Sequence, residues 1–447
     1  MNMKLSMKPI FLHIFLLCPF FISHLQAANL IDVYTMARDS DPTFKAAFYQ
    51  HQAGQEFKIL GRSNLLPVIS ANYSRYKNEA DIDYDNGQLQ RSEHREYASK
   101  NASIQLRQPL INFDSYARYK QGEAQTSMSD QEFIIREQEL ILRVFNKYAA
   151  VLYAEDLLAL STMKKQAYAE ERQANITLFK HGEGTKTDIL ESQARYDLAE
   201  ADIVEARDNL DNTRASLNKI LGRQIDAISP LLDNFSLLPM KSSDLDELKM
   251  IAVQNNLEII IQRYMLEVAE QELNRSQAGH MPRLDAVVSW SDNASDTTNT
   301  YNQQSTVNSV GLQLTVPIYS GGSVSARVRQ SQSNLLKAKA EFDEKSNIVV
   351  LELQEQFNLV SNAQRRLKAL ETAVNSALLL VKATKKSIKG GTRTTIDVLN
   401  TESQLFEAKG DLLLARYNYL QSYLNLKKVL GTLGFDDLEM VATRFQK

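Results

Sequence analysis

The chain lays out its plan twice. Ala37-Arg38-Asp39-Ser40-Asp41 finds a counterpart in Ala252-Val253-Gln254-Asn255-Asn256. Ser63-Asn64-Leu65-Leu66-Pro67 falls on Ala278-Gly279-His280-Met281-Pro282, with the proline in step. Gln105-Leu106-Arg107-Gln108-Pro109-Leu110 matches Gln313-Leu314-Thr315-Val316-Pro317-Ile318, and Asn218-Lys219-Ile220-Leu221-Gly222 matches Lys427-Lys428-Val429-Leu430-Gly431. A repeat on this scale restricts the fold to one that two copies of a single unit can share. The 447 residues divide into a leader at 1–27, a first repeat at 28–222, a linking segment at 223–243, a second repeat at 244–431 and a tail at 432–447.

Each repeat holds a proline-free helical pattern of unusual length, Ser115 to Lys180 and Ser323 to Lys389. Ile134, Ile141 and Tyr148 recur at intervals of seven, with Val144, Val151 and Leu158 as the companion series, the a/d seam of a coiled coil. At 1.5 Å per residue such a helix reaches roughly 100 Å, more than a globular core requires. A turn rich in Gly and Thr then reverses the chain, and a return helix runs to Gly222 or Gly431, where glycine suits a left-handed cap. Helices over about 30–64 and 244–279 lead into the repeats and supply the missing length if stacked end to end on the return helices.

The two turns are alike. One reads Lys180-His181-Gly182-Glu183-Gly184-Thr185-Lys186-Thr187-Asp188, the other Lys389-Gly390-Gly391-Thr392-Arg393-Thr394-Thr395-Ile396-Asp397. Thr and Asp in a first helical turn satisfy free backbone N–H groups and favour the helix dipole. Capping alone accounts for them, and an added functional role is the competing reading.

Between the leading and long helices lie two short alternating segments per repeat. Val310, Leu312, Leu314, Val316 and Ile318 alternate with polar or small neighbours, as do Leu284, Ala286, Val288 and Trp290. Ala102, Ile104 and Leu106 do the same, and Ile69, Ala71 and Tyr73 give a weaker version over Val68 to Tyr76. One apolar and one polar face suit lipid outside and water inside. Lys77 to Lys100 and Asn293 to Asn308 are polar throughout and read as exposed loops. In lipid every backbone polar group needs a partner, so a sheet must close on itself. Four strands cannot, and barrels begin at about eight. Several copies must contribute four each: two would fill the interior with side chains, three would give twelve strands and room for a channel.

Lys4 and Lys8, an apolar run from Ile10 to Ile22, and Leu25-Gln26-Ala27-Ala28 form a secretory signal cut after Ala27. The only cysteine, Cys18, lies inside it behind Leu17, too large for a lipoprotein signal, so the mature chain carries no thiol. Losing two lysines takes the formal charge from −3 to −5, which argues against a nucleic-acid partner. No later segment has eighteen consecutive apolar residues, which excludes a membrane-spanning helix but not a barrel.

Gly391-Thr392-Arg393-Thr394-Thr395-Ile396-Asp397-Val398-Leu399, Ala415-Arg416-Tyr417-Asn418-Tyr419-Leu420 and Lys428-Val429-Leu430-Gly431-Thr432-Leu433 resemble the TolC family of outer-membrane efflux and secretion channels. The resemblance covers nearly the whole mature chain. It implies a mixed α and β membrane protein: a homotrimer whose twelve-stranded β-barrel in the outer membrane continues into a long periplasmic α-helical barrel. An equatorial domain would use about Arg223 to Ser243 and the tail. No catalytic activity and no cofactor are implied. The implied partners are the chain itself, outer-membrane lipid, a periplasmic membrane-fusion adaptor and an inner-membrane transporter of ABC or RND type. By motif, Arg393, Asp397 and Asp188 fall at the gate and aperture of the periplasmic end. Asn400 stands where some members have a second aspartate, and Ile388 where some have a tyrosine. The aperture is therefore expected to be less acidic and to have one polar link fewer. Gly182, Gly184, Thr185, Gly390, Gly391 and Thr392 mark the tips expected to meet the adaptor. Asp41-Pro42 and Gln108-Pro109-Leu110 resemble channels of type I protein export, with drug efflux the alternative.

Two other classes fit less well. Gly182-Glu183-Gly184-Thr185-Lys186-Thr187 lacks the spacing of a phosphate-binding loop and follows a helix instead of a strand. His51, His94, His181 and His280 have no metal-ligand spacing. A periplasmic coiled-coil adaptor would share the signal and hairpins but has no use for four amphipathic strands.

Overall fold

A computed structural model describes residues 27–85, 90–225, 227–232, 234–239, 244–295, 303–390 and 392–446. Residues 1–26 of the signal segment, Cys18 among them, and Gly391 lie outside the described residues. Four strands, β1 (Val68–Asp85), β2 (Gln90–Ile111), β3 (Arg283–Ser295) and β4 (Gln303–Thr315), form one antiparallel sheet in the order β1-β2-β3-β4. The helices are α1 (Leu30–Ser40), α2 (Pro42–Ser63), α3 (Phe113–Lys180), α4 (Lys186–Leu221), α5 (Leu245–Asn255), α6 (Leu257–Ala278), α7 (Ser323–Lys389), α8 (Thr395–Val429) and α9 (Phe435–Ala442).

The sheet has the two-faced character read from the sequence. The register sets Ile69 opposite Leu106, Leu106 opposite Val288 and Val288 opposite Val310. One face thus carries a continuous apolar band across all four strands. On the other face Arg107 ion-pairs with Asp285, whose side chain is 1% exposed. Neither β1 nor β4 has a partner on its outer side among the described strands.

Three expectations need correction. Lys77 to Lys100 is largely strand, paired from Lys77↔Ala98 to Asp85↔Gln90, and β3 and β4 likewise run on to Ser295↔Gln303. A ladder is closed by backbone groups, so a hairpin can continue past the apolar band with polar residues on both faces. Since about 9–11 residues cross a bilayer, the 18 and 22 residues of β1 and β2 carry the hairpin well beyond it. Second, β4 stops at Thr315, short of Pro317 and Ile318: proline donates no ladder hydrogen bond, and Gly321 (φ 63°) and Gly322 (φ 78°) then turn the chain into α7. Third, each leading helix is two. Asp41 accepts from the N–H of Thr43 at 3.0 Å and Pro42 takes the first position of α2. The matching Asn256 caps α6 through the N–H groups of Glu258 and Ile259 at 3.0 and 3.1 Å.

The long helices α3 and α7 run the length of the helical part. Toward the sheet, α2 and α6 lie against α3, and α6 also lies against α7; toward the far end, α4 lies on α3 and α8 sits between α3 and α7. The principal core lies midway, where Leu140, Val144, Phe145, Tyr148 and Leu152 of α3 meet α1, α9 and the end of α8. The linking segment and tail join it through bridges Ala28↔Ile228 and Leu231↔Phe445. The heptad seam therefore feeds this girdle as much as a coiled coil: Ile141, Val144, Tyr148 and Val151 are buried, while Ile134 is 37% exposed.

The Ala415–Leu420 motif belongs to the same girdle. The Tyr419 hydroxyl accepts from the N–H of Leu238 at 2.7 Å and lies 3.2 Å from its carbonyl. Tyr417 donates to Asp156 at 2.8 Å, and Arg416 lies over the Phe235 ring. Opposite them Tyr148 donates to the Ser229 carbonyl at 2.7 Å. Buried hydroxyls need partners, and here those of Tyr148 and Tyr419 fasten the irregular linking segment to a helix while that of Tyr417 ties α8 to α3.

Candidate functional site

Both tips are made by reciprocal capping. At the first, Gly182 adopts φ 79° and lets the chain leave α3. Thr185 then accepts from the N–H of Asp188 at 3.1 Å, while its own N–H and hydroxyl donate to the Asp188 carboxylate at 3.0 and 2.6 Å. At the second, the N–H and hydroxyl of Thr394 donate to Asp397 at 2.9 and 3.0 Å. These bonds, backbone first, hold the Asp397 carboxyl below the usual aspartate range, and Arg393 adds to the shift. Thr392 closes its turn onto the Ser387 carbonyl with its N–H at 3.1 Å and its hydroxyl at 3.2 Å. Gly184 and Thr185 lie on the first turn and Gly390 and Thr392 on the second, with Thr185, Gly390 and Thr392 exposed.

Arg393, in the turn before α8, is half exposed and lies 3.5 Å from Asp397 in the first turn of that helix. Within the chain it does not reach Asp188. The tips are joined instead by Asn175 near the end of α3, 3% exposed. Its amide donates to the Asp188 carbonyl at 3.2 Å and its oxygen accepts from the Thr395 hydroxyl at 3.1 Å. One buried amide thus fixes the start of α8 against that of α4. Asn400 makes a second link, accepting from Arg195 of α4 at 3.0 Å.

A third link uses charge. Lys385 of α7 lies 2.8 Å from Glu171 of α3 and 2.6 Å from Glu402 of α8. Glu402 is 3% exposed, and its second carboxylate oxygen has no hydrogen-bond partner among the described residues. Burial pushes the Glu402 carboxyl above its usual range despite the ammonium beside it. For Lys385 burial acts downward, but bonds to Glu171 and Glu402 outweigh it and the amine sits high. Tyr168, Ala199 and Leu399 form a small apolar cluster between these links, with Tyr196 packed on it under Arg172 at 4.6 Å. Asn175, Arg195, Lys385 and Glu402 were not singled out from the sequence. Each lies on a regular helix, and only the register between hairpins reveals its partner.

Residues 33–223 and 250–432 match the family model described as outer membrane efflux protein. The chain is 35% identical over 421 residues to the alkaline protease secretion protein AprF of Pseudomonas aeruginosa, covering 94% of this chain and 88% of that protein. It is 31% identical over 429 residues to the outer membrane protein TolC of Escherichia coli, covering 94% and 85%. Among solved structures, the outer membrane protein VceC of Vibrio cholerae shares the fold at a TM-score of 0.77 and 15% identity, over 90% of this chain and 96% of that one.

Proposed function

The chain belongs to the outer membrane efflux protein family, and on that premise we propose that it is the channel-tunnel of a tripartite export system, passing polypeptides across the outer membrane. The observation that carries the channel is the open sheet: a continuous apolar band on one face, a polar face behind it, and two unpartnered edge strands. Such a sheet survives in lipid only when the β4 of one copy meets the β1 of the next. Three copies give twelve strands and, below them, a ring of helices. The outer flanks of the helices suit this assembly, for Leu351 and Leu379 of α7 and Leu190 and Leu198 of α4 are more than half exposed. Polypeptide cargo is favoured by the likeness to a protease secretion protein. Small-molecule efflux is the second reading, favoured by the family's description.

The repeats 28–222 and 244–431 act in this reading as two copies of one hairpin unit, braced at mid-height by 223–243 and 432–447. The tips at Gly182, Gly184, Thr185, Gly390, Gly391 and Thr392 meet the adaptor, and Asp188, Arg393, Asp397 and Asn400 surround the aperture. Arg393, held within its chain by one exposed ion pair, is free to reach a neighbouring copy. The protein transports and does not catalyse; a transporter in the inner membrane supplies the energy. Arg393→Ser is expected to raise closed-state conductance in planar bilayers, and unchanged conductance removes Arg393 from the gate. For the function itself, a deletion strain is compared with its parent. Loss of a secreted protein from the medium with drug sensitivity unchanged supports export, and the reverse pattern supports efflux.

A further inference from the structure

Where the strands hand over to the helices, a cavity of about 420 Å³ is lined by four arginines from four elements: Arg118 of α3, Arg275 of α6, Arg283 of β3 and Arg327 of α7. The lining contains one carboxylate, Asp114, which accepts from Arg118 at 2.7 Å and lies 3.6 Å from Arg275. Glu272 takes a further share of Arg275 at 2.7 Å. Arg283 and Arg327 are exposed and form no ion pair with any described residue. Just above, Arg107 and Asp285 neutralise each other. The junction therefore keeps two uncompensated guanidinium groups per chain.

The register says which way the cavity opens. Arg283 stands opposite Thr315, which also lines the cavity, and two residues before Asp285. Alternation places all three on the polar face, the side away from the apolar band. If that band faces lipid, Arg283 faces the passage, and Arg327 lines the same cavity beside it. In a closed assembly their copies form a ring at the foot of the barrel, where a narrow wall of low dielectric concentrates the field.

We propose that this ring is a transit site for acidic stretches of the passenger polypeptide, whose carboxylates the Arg283 and Arg327 guanidinium groups engage in passing. The proposal rests on the protein-export reading above. A planar guanidinium matches a carboxylate through paired N–H donors, a directional fit that a lysine ammonium lacks. Exposure keeps each contact weak and salt-sensitive, as a path for moving cargo requires.

The test uses the assembled full-length protein in planar bilayers, with short poly-L-glutamate or poly-L-lysine added to the extracellular side. Poly-L-glutamate is expected to block wild-type current at low salt, with the block fading as salt rises. Arg283→Gln combined with Arg327→Gln should weaken that block about tenfold or more. Arg283→Lys with Arg327→Lys, which keeps charge but not the fork, should weaken it less. Any effect of poly-L-lysine should be the same in all three. Arg327→Gln alone, on α7 and outside the sheet, gives a reduced but measurable loss of block if the double variant does not assemble. Equal block of wild type and variants, or no block of an open wild-type channel, overturns the proposal while leaving the channel intact. A wild-type protein that conducts no ions fails earlier, at the channel reading itself.

Discussion

Glu402 occupies an uncomfortable position at the tunnel's far end, a carboxyl at 3% exposure with one oxygen unpartnered among the described residues. Its folded pKa lies above the ordinary 4.5, so the folded protein holds this proton more tightly than the unfolded chain does. The stability this contributes is fully present below pH 4.5 and is lost as pH rises through the folded value. Glu402→Gln removes that dependence. Measured as hydrogen exchange in the first turns of α8, wild type should hold its greatest advantage over the variant in acid and lose it as pH rises. A pH-independent difference would show that the carboxyl does not titrate in this window. Asp397 runs the other way. Its lowered pKa gives stability that is present above 3.8 and lost as pH falls through the folded value. Asp397→Asn keeps an oxygen for the Thr394 cap while deleting the charge, so it separates the two readings of the tip. Reduced cation preference and reduced blockage by multivalent cations, with the helix intact, are expected if the aspartate focuses the aperture field. No change in either leaves capping as its whole role. The capping pattern was legible in the sequence because both partners lie three residues apart. Arg195, Lys385 and Glu402 were not, because their partners are set by the register of one long hairpin on another. The same register supplies the links at Asn400 and around Lys385.

At the scale of elements, how closely α2 approaches α3 decides whether the leading helix can serve as a stave. Gly61 and Gly122 face each other there. A Cβ on Gly122 would stand 2.4 Å from the Phe57 carbonyl oxygen and 3.3 Å from the Gly61 Cα. Both obstacles are backbone, so neither can rotate away. Gly122→Leu is expected to force the helices apart at a cost of about 1–3 kcal/mol per chain, seen as a lower midpoint in urea. Gly410→Ala inside α8, with only the Leu160 side chain 3.8 Å away, should raise the midpoint slightly, through a gain of up to about 1 kcal/mol from the lost glycine freedom, and serves as its control. An unchanged midpoint for Gly122→Leu would mean that the helices do not touch there. Neither glycine announced itself in the sequence, since a glycine inside a helix pattern carries no sign of what approaches it. The breaks between α1 and α2 and between α5 and α6 were written as Asp41-Pro42 and Asn256, yet a continuous helical pattern masked them. Strand length was hidden for a related reason. The apolar alternation marks only the part of a hairpin that meets lipid, and β1 and β2 outrun it on polar residues whose pairing is made by the backbone.

For the whole molecule everything turns on which sheet face meets lipid, and two adjacent residues of β4 put the question most directly. Val310 is 84% exposed on the apolar face, opposite Val288, whereas Ser309 is opposite Ser289 on the polar one. An arginine on the lipid side of a barrel costs about 2–4 kcal/mol at the bilayer midplane, falling toward the interfaces. Three chains suffer that cost together in a trimer. Val310→Arg should therefore sharply reduce the assembled protein recovered from outer membranes and lower the heat resistance of what remains. Ser309→Arg, one residue earlier, should assemble normally and shift the channel's reversal potential toward anions. A one-residue step inverts the outcome because side chains alternate along a strand. Equal yields from the two variants would mean that neither face is committed to lipid, and the sheet would have to be a soluble cap on the helices. The converse pattern, with Ser309→Arg lost and Val310→Arg assembled, would turn the barrel inside out and move the arginine-lined cavity to the outer surface. Membrane yield and reversal potential thus read the same register independently.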